Sequence, residues 1–379
     1  MAIFLTGATG YIGSYLAEGF LRHRKDRLAL LVRAGSVDEA ERRLWKSLQL
    51  HMDAPTFHSY LKDRIDIYLG DLTAENLGLD ATARDRLIGS MDSVVHCAAS
   101  LNRKSEKSCM NVNIRGTLAI LKLARAAHDL HGLHRFSDIS TVAVAGKRSN
   151  EVVTEDRAIE WDRSDYDPYA RTKKVCEYMV EEFLGDVDRV VFRPSIVLGD
   201  SRFPQTTQFD MVRAFVFLAQ LPVLPFDRSW KLDVVPADYV ARAIVQIHTS
   251  ERPRHHIYHL SSGTTSLSYG EILKAMNETG FRMRHILTPH LLKPFSWVTS
   301  ALAATPRSWG ISLPATAMKV FLPYLAFNTV FDNTRVREEL GEAPKPFSAY
   351  ALPLLRFAKE NHFAYPYKPW VEKREVRVA

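Results

Sequence analysis

Thr6-Gly7-Ala8-Thr9-Gly10-Tyr11-Ile12-Gly13 joins the apolar run Ile3–Thr6 to the helical pattern Tyr11–Arg24. The first glycine permits a tight turn. The second lets backbone approach a pyrophosphate, and the third lets helix and strand pack closely. The helix N-terminus then directs unpaired N–H groups at the phosphates. A glycine pattern framed by a strand and a helix is a strong dinucleotide signature. Thr6, Gly7, Thr9, Gly10, Tyr11, Ile12 and Gly13 are the residues expected to carry it.

Outward from this stretch, short aliphatic runs alternate with longer helical patterns. Ile3–Thr6, Leu28–Val32, Ile65–Leu69, Ser93–His96, Arg135–Ile139 and Arg189–Phe192 read as strands. Tyr11–Arg24, Asn113–Ala127 and Tyr169–Leu184 read as helices. Such alternation predicts an α/β protein, a Rossmann-type doubly wound parallel sheet. The link between the second and third strands, about 33–64, is long and carries the charged helical stretch Ser36–Leu50. From Gly199 the pattern turns irregular, with Pro204, Pro222, Pro225 and Pro236. Residues 1–200 are therefore expected to form the nucleotide domain, with 232–260 returning to it. Residues 201–231 and 261–379 are expected to build a smaller C-terminal substrate lobe. The sequence shows no internal repeat and no low-complexity segment.

The second strand bears on the choice of cofactor. An NAD site usually places an acid about 20 residues beyond the glycines. Here that place holds Leu31-Val32-Arg33-Ala34. Arg33 cannot accept a hydrogen bond from a ribose hydroxyl, but it can clamp a 2′-phosphate. Arg43 lies about three helical turns further on and can reach the same phosphate. The expected cofactor is NADPH. At other strand ends, Asp71 and Leu72 follow the third strand and Ala98 and Ala99 the fourth. Asp71 can accept from an adenine amino group, and the small residues let backbone lie along the cofactor.

Tyr169 and Lys173 are four residues apart on a predicted helix, so they share a face. A phenol titrates near 10 and is a poor proton donor–acceptor at neutral pH, while a neighbouring ammonium favours its phenolate. Thr141 follows the fifth strand in Ser140-Thr141-Val142, where its hydroxyl can hold the carbonyl oxygen that Tyr169 protonates. Thr141, Tyr169 and Lys173 are the expected catalytic set. His96 reads as a packed or hydrogen-bonded histidine. His255, His256 and His259 read as solvated surface running into a strand. No metal site is expected, and the scattered carboxylates suggest no glycosidase-type pair.

The whole chain sets the remaining bounds. Its 379 residues are 46% hydrophobic and carry a net charge of +7. That composition suits a globular protein, and mild basicity suits anionic ligands such as phosphorylated cofactors, coenzyme A or an acidic carrier. It is too diffuse to imply nucleic acid. Cys97, Cys109 and Cys176 are irregularly spaced and read as reduced cytosolic thiols. The first apolar run flows into the glycine motif, so no signal peptide is expected. No segment is apolar enough to span a bilayer. The aromatic and aliphatic stretch Leu291–Phe331 reads as packed lobe, with an acyl pocket or a membrane-touching surface as the sharper readings. The expectation is a cytoplasmic protein, with peripheral membrane contact through this lobe left open.

The motifs taken together resemble the extended short-chain dehydrogenase/reductase superfamily, and in particular its thioester reductase and fatty acyl-CoA reductase branch. The residues carrying that resemblance include Arg33-Ala34-Gly35-Ser36, Gly70-Asp71-Leu72, Val95-His96-Cys97-Ala98-Ala99, Asn111-Val112-Asn113 and Arg193-Pro194-Ser195-Ile196-Val197. The match covers about 1–265, whereas Thr172 and Lys174 depart from the pattern and the last hundred or so residues do not align. The resemblance implies that Arg33 and Arg43 hold the NADPH phosphate. It also implies that Lys173 grips the nicotinamide ribose and that Pro194, Ser195 and Ile196 lie near the nicotinamide. It implies reduction of an acyl thioester, on coenzyme A or an acyl-carrier protein, to an aldehyde or onward to an alcohol. With no adenylation or carrier segment, the chain is expected to act as a free-standing enzyme, monomer or homodimer. Two other readings stay open at this point: a reductase of a ketone, sterol or nucleotide sugar, and a non-catalytic NADP-binding regulator.

Overall fold

The computed structural model describes residues 2–278 and 285–370, apart from the side chain of Arg307. The parts of the expected lobe at 279–284 and 371–379 lie outside the described residues. Seven strands form the main sheet: β1 (Ala2–Thr6), β2 (Arg27–Val32), β3 (Ile65–Leu69), β4 (Met91–His96), β5 (Arg135–Ile139), β6 (Arg189–Pro194) and β7 (Ile257–Leu260). Their order is β7-β6-β5-β4-β1-β2-β3, and every pairing is parallel. The strand order reverses beside β1, which places a crevice at the carboxyl ends of β1 and β4, where ligands bind in open α/β sheets. The Rossmann-type sheet read from the sequence is thus the sheet observed.

Helices cover both faces, so the central strands are buried runs of aliphatic residues. Leu5, Leu30, Val95 and Phe192 join Leu16, Phe20 and Ile244 in the core on one face. Phe4, Val94 and Phe136 join Ile120, Leu121 and Val180 on the other. The long link after β2 folds into two helices, Val37–Leu48 and Ala54–Asp63. Ser36 caps the first and Asp53 the second, each accepting from a backbone N–H three residues on.

The later chain has its own core, in which Phe215, Phe226 and Leu232 pack with Met318, Leu325 and Leu354. Val234–Val235 lies outside the main sheet and pairs with Ile196–Val197. The helices Leu292–Ala303 and Ser312–Leu325 pack against each other in this region. The second of them forms one wall of the crevice.

Candidate active site

A cavity of about 730 Å³ runs from the glycine turn, past the ends of β4, β5 and β6, to the helix Ser312–Leu325. At one end are Thr6, Gly7, Thr9, Gly10, Tyr11, Ile12 and Gly13. Gly7 has φ +80°, and the N–H of Gly10 donates to its carbonyl at 2.8 Å. A Cβ on Gly13 would lie 1.9 Å from that carbonyl oxygen, so only glycine lets the helix start this close to β1. Gly10 occupies the N-cap and supplies no side-chain cap. The first-turn N–H groups therefore have no helical acceptor and face the cavity. This cradle fits a dinucleotide pyrophosphate.

Arg33, Arg43, Asp71 and Leu72 line the adjoining part of the cavity. The Arg33 side chain is 70% exposed, and its Nη1 lies 3.8 Å from Asp71 Oδ2. The other Asp71 oxygen is engaged in its own turn, accepting from Thr73 N and Oγ1 at 2.8 Å each. Burial opposes ionisation of Asp71, but the Thr73 hydrogen bonds and Arg33 outweigh it and hold the carboxyl below its usual range. Arg43 lies 3.8 Å from Glu39. One turn on, Ser47 donates to the carbonyl of Thr9 at 3.0 Å and ties this helix to the glycine turn. Two guanidinium groups thus flank the place where an acid would bind a ribose hydroxyl.

Ala98 and Ala99 follow β4 along the cavity wall. Behind them His96 is buried between Thr6 Oγ1, at 2.8 Å, and Thr117 Oγ1, at 3.0 Å. Burial, aided by Lys173, pushes its pKa down to about 3, so it is a neutral structural imidazole. His259, by contrast, does not lie on solvated surface. It is fully buried on β7, with Nδ1 3.2 Å from the carbonyl of Asp332. Tyr258, His259 and Leu260 are all buried, so both faces of β7 are covered, whereas His256 just before the strand is exposed.

Thr141, Tyr169 and Lys173 all line the cavity. Tyr169 and Lys173 sit on the helix Pro168–Phe183, which starts where Asp167 accepts from Ala170 N at 2.9 Å and Pro168 takes the first turn. Both side chains are buried, and Lys173 Nζ donates to the carbonyl of Ile139 at 2.6 Å. Thr141 caps the short turn Val142–Ala145, its oxygen accepting from Ala143 N at 3.2 Å. A threonine oxygen that accepts in this way keeps its own O–H as a donor. Next to it Ser140 donates to Glu177, and Glu177 is paired with buried Arg193, fixing the end of β5 to the helix.

Pro194, Ser195 and Ile196 close the far side. Ser195 Oγ donates to Asp233 Oδ1 at 2.9 Å, and Ser262 N donates to the same oxygen at 2.8 Å. Asp233 Oδ2 is buried with no partner among the described residues, and burial pushes this acid up to about 7.

The cavity also holds Tyr324 with the apolar residues Leu313, Ala317, Val320 and Phe321, which come from the stretch Leu291–Phe331 read as packed lobe or acyl pocket. It further holds Arg103, Met211 and Asp233, which sequence reading did not single out. Asp138, just behind Lys173, is another. A charged residue in the run Phe136-Ser137-Asp138-Ile139 was the one available signal, since a strand covered on both faces is otherwise apolar.

With this geometry in hand, comparison with known proteins is specific. The sequence model of the male sterility protein family matches residues 5–244. The chain is 29% identical over 290 residues to a linear gramicidin synthase of Brevibacillus parabrevis, covering 75% of this chain and 6% of that one. It is 28% identical over 313 residues to a carboxylic acid reductase of Mycobacterium marinum, covering 75% of this chain and 26% of that one. The chain thus spans a small fraction of these relatives' length. The crystal structure of the terminal R domain from the myxalamid PKS-NRPS pathway superposes with a TM-score of 0.80 at 25% identity, covering 96% of this chain and 91% of that one.

Proposed function

The chain belongs to the male sterility protein family, in the thioester reductase branch of the extended short-chain dehydrogenase/reductase superfamily, and is an NAD(P)H-dependent oxidoreductase; on that premise we propose that it reduces an acyl thioester to an aldehyde using NADPH. The observation that carries this reading is a single cavity. It joins a pyrophosphate cradle, a Thr–Tyr–Lys set and an apolar wall. The nucleotide would be held by the glycine turn, by Arg33 and Arg43 at its adenosine phosphate, and by Lys173 and the Pro194–Ile196 segment at its nicotinamide end. When bound, NADPH supplies the hydride that reaches the thioester carbonyl carbon.

The chain's own residues do the rest. Thr141 and Tyr169 donate hydrogen bonds to the carbonyl oxygen as negative charge develops there. Tyr169 transfers its proton to that oxygen. Lys173 presents a buried positive charge one helical turn from the phenol. Collapse of the resulting hemithioacetal returns the hydroxyl proton to the Tyr169 phenolate and breaks the C–S bond, leaving the aldehyde and a thiolate. The wall of Met211, Leu313, Ala317, Val320 and Phe321 receives the acyl chain and keeps water from the carbonyl. The reading extends to the carrier: an acyl group on coenzyme A or on an acyl-carrier protein, both anionic, suits a chain of net charge +7.

The test is a substrate panel of acyl-CoAs and acyl-carrier proteins against ketones and nucleotide sugars. It follows NADPH absorbance together with free thiol. Equal appearance of thiol and disappearance of NADPH supports the proposal for two-electron reduction. Turnover of ketones or nucleotide sugars alone refutes it.

Peripheral membrane contact through the lobe is supported by the exposed Trp297 and Trp309, 79% and 68% accessible. Among the described residues no helix is long and apolar enough to cross a membrane. Sedimentation with anionic vesicles, compared for the protein and Trp297→Ser/Trp309→Ser, tests this contact. Equal partition to the supernatant in both refutes it.

A further inference from the structure

Lys173 has a partner that the Thr–Tyr–Lys pattern does not contain. Asp138, in the middle of the sheet on β5, is completely buried. Its neighbours in register are His96 on β4 and Val191 on β6. Neither carboxylate oxygen has a hydrogen-bond partner among the described residues. The nearest cation is Lys173, with Nζ 4.0 Å from Oδ1. A buried carboxylate without hydrogen bonds is costly, and only an opposite charge can offset it.

The other groups around Lys173 cannot take this place. From β4, His96 is neutral between two threonine hydroxyls. Cys97, beyond the end of β4, and Cys176, on the lysine's own helix, are thiols that burial pushes up to about 12 and about 11. Glu177 on that helix is held by Arg193 through three contacts of 2.6 to 3.1 Å. Tyr169 stands one turn back along the helix. Asp138 is therefore the acid that faces the ammonium. The electrostatics agree in direction. Burial alone would lower Lys173, yet the Asp138 carboxylate turns the balance and raises it. Burial lifts Asp138 to about 6 against the pull of the lysine, so the pair is ionic at neutral pH.

We propose that Asp138 is a positioning residue for the reaction: its carboxylate is the buried counter-ion that keeps Lys173 charged and seated on the floor of the cavity beside Tyr169. This rests on the reading of Tyr169 and Lys173 as the catalytic pair. Asp138 touches neither substrate nor cofactor and acts through the lysine. Without it, a desolvated ammonium gives up its proton more readily.

The test has two arms. The first is the pH profile of acyl-CoA-dependent NADPH oxidation by Asp138→Asn, whose side chain nearly matches in shape. The basic limb of kcat is expected to move down by about one unit or more, with the KM for acyl-CoA little changed. Asp138→Glu is expected to restore the limb. An unmoved limb in Asp138→Asn overturns the proposal. The second arm needs no turnover. Lys173→Met leaves Asp138 buried and uncompensated, so its melting-temperature deficit against the wild type is expected to grow as pH rises from 5 to 8. Lys173→Met/Asp138→Asn is expected to remove that pH dependence. A deficit equal at pH 5 and 8 overturns the pairing, including where Asp138→Asn fails to fold. A wild-type protein that turns over no thioester refutes the proposed function but leaves the melting arm to decide this one.

Discussion

The guanidinium of Arg103 lies across the ring of Tyr169, its central carbon 4.6 Å from the ring centroid. The same group stands 4.5 Å from the ring of Tyr324 and forms a 2.9 Å ion pair with Asp167, the residue that caps the helix carrying Tyr169. Tyr324 donates to the same Asp167 oxygen at 2.6 Å. A loop after β4, the start of the helix Pro168–Phe183 and the lobe helix Ser312–Leu325 are thus fastened at one point beside the phenol. Arg103→Met would leave Asp167, with 13% of its side chain exposed, without its cation. The expected loss is about 2–3 kcal/mol in urea denaturation, at or below the usual range for a broken buried pair because both groups keep some solvent contact. Turnover should fall as well, since the cap that orients Tyr169 loosens. An unchanged midpoint would show that the three-way contact contributes nothing.

Tyr169→Phe removes the proposed proton donor and leaves the ring. Turnover should drop by about 10²–10⁴-fold, while the Kd for NADPH, read by its fluorescence, stays within about twofold because the pyrophosphate cradle and both arginines are elsewhere. Full turnover in this variant would remove Tyr169 from the mechanism.

Arg33 and Arg43 should discriminate NADPH from NADH. Losing charge-assisted hydrogen bonds of about 1.5–3 kcal/mol raises the KM for NADPH about 10- to 100-fold. Arg33→Ala and Arg43→Ala should show this rise and leave the KM for NADH nearly untouched. Parallel changes for both nucleotides would mean that the 2′-phosphate is held by other groups.

Gly13→Ala puts a methyl group 1.9 Å from the carbonyl oxygen of Gly7, a contact that only backbone movement can relieve. Nucleotide binding should be lost and the melting temperature lowered. A variant that binds NADPH as the wild type does would show that the turn has slack absent from this packing.

Asp233 gives a pH signature. Its folded pKa, about 7, lies above the unfolded value, so the native state binds the proton more tightly. The acid therefore costs no stability below pH about 4 and an increasing amount as pH rises toward neutrality. The melting temperature of Asp233→Asn relative to wild type should shift in the variant's favour between pH 5 and 8. A constant difference would mean that Asp233 is not titrating in the fold.

Much of the site was legible because its signals are local. The turn Gly7–Gly13, the helix spacing of Tyr169 and Lys173, and the missing acid after β2 each declare themselves within a few residues. The strand boundaries read from aliphatic runs fall within two residues of those observed for β1 to β6. His259 was misplaced because a short edge strand following two other histidines offers little pattern to read. The lobe was opaque for a different reason. Helix Ser312–Leu325 is apolar nearly all round, and sequence alone does not say which of its sides meets a ligand and which meets its own core.

The sequence by itself determined the sheet, the nucleotide turn and the pairing of phenol with amine, because backbone geometry and helical periodicity act over one or two turns. Tertiary structure alone decided that Arg103 meets Asp167 and Tyr324, and that Asp138 stands under Lys173. Those groups come from segments 35 to 221 residues apart. They meet only because helices and lobe close over the ends of the strands, where a charge shut away from water must find its opposite or be lost.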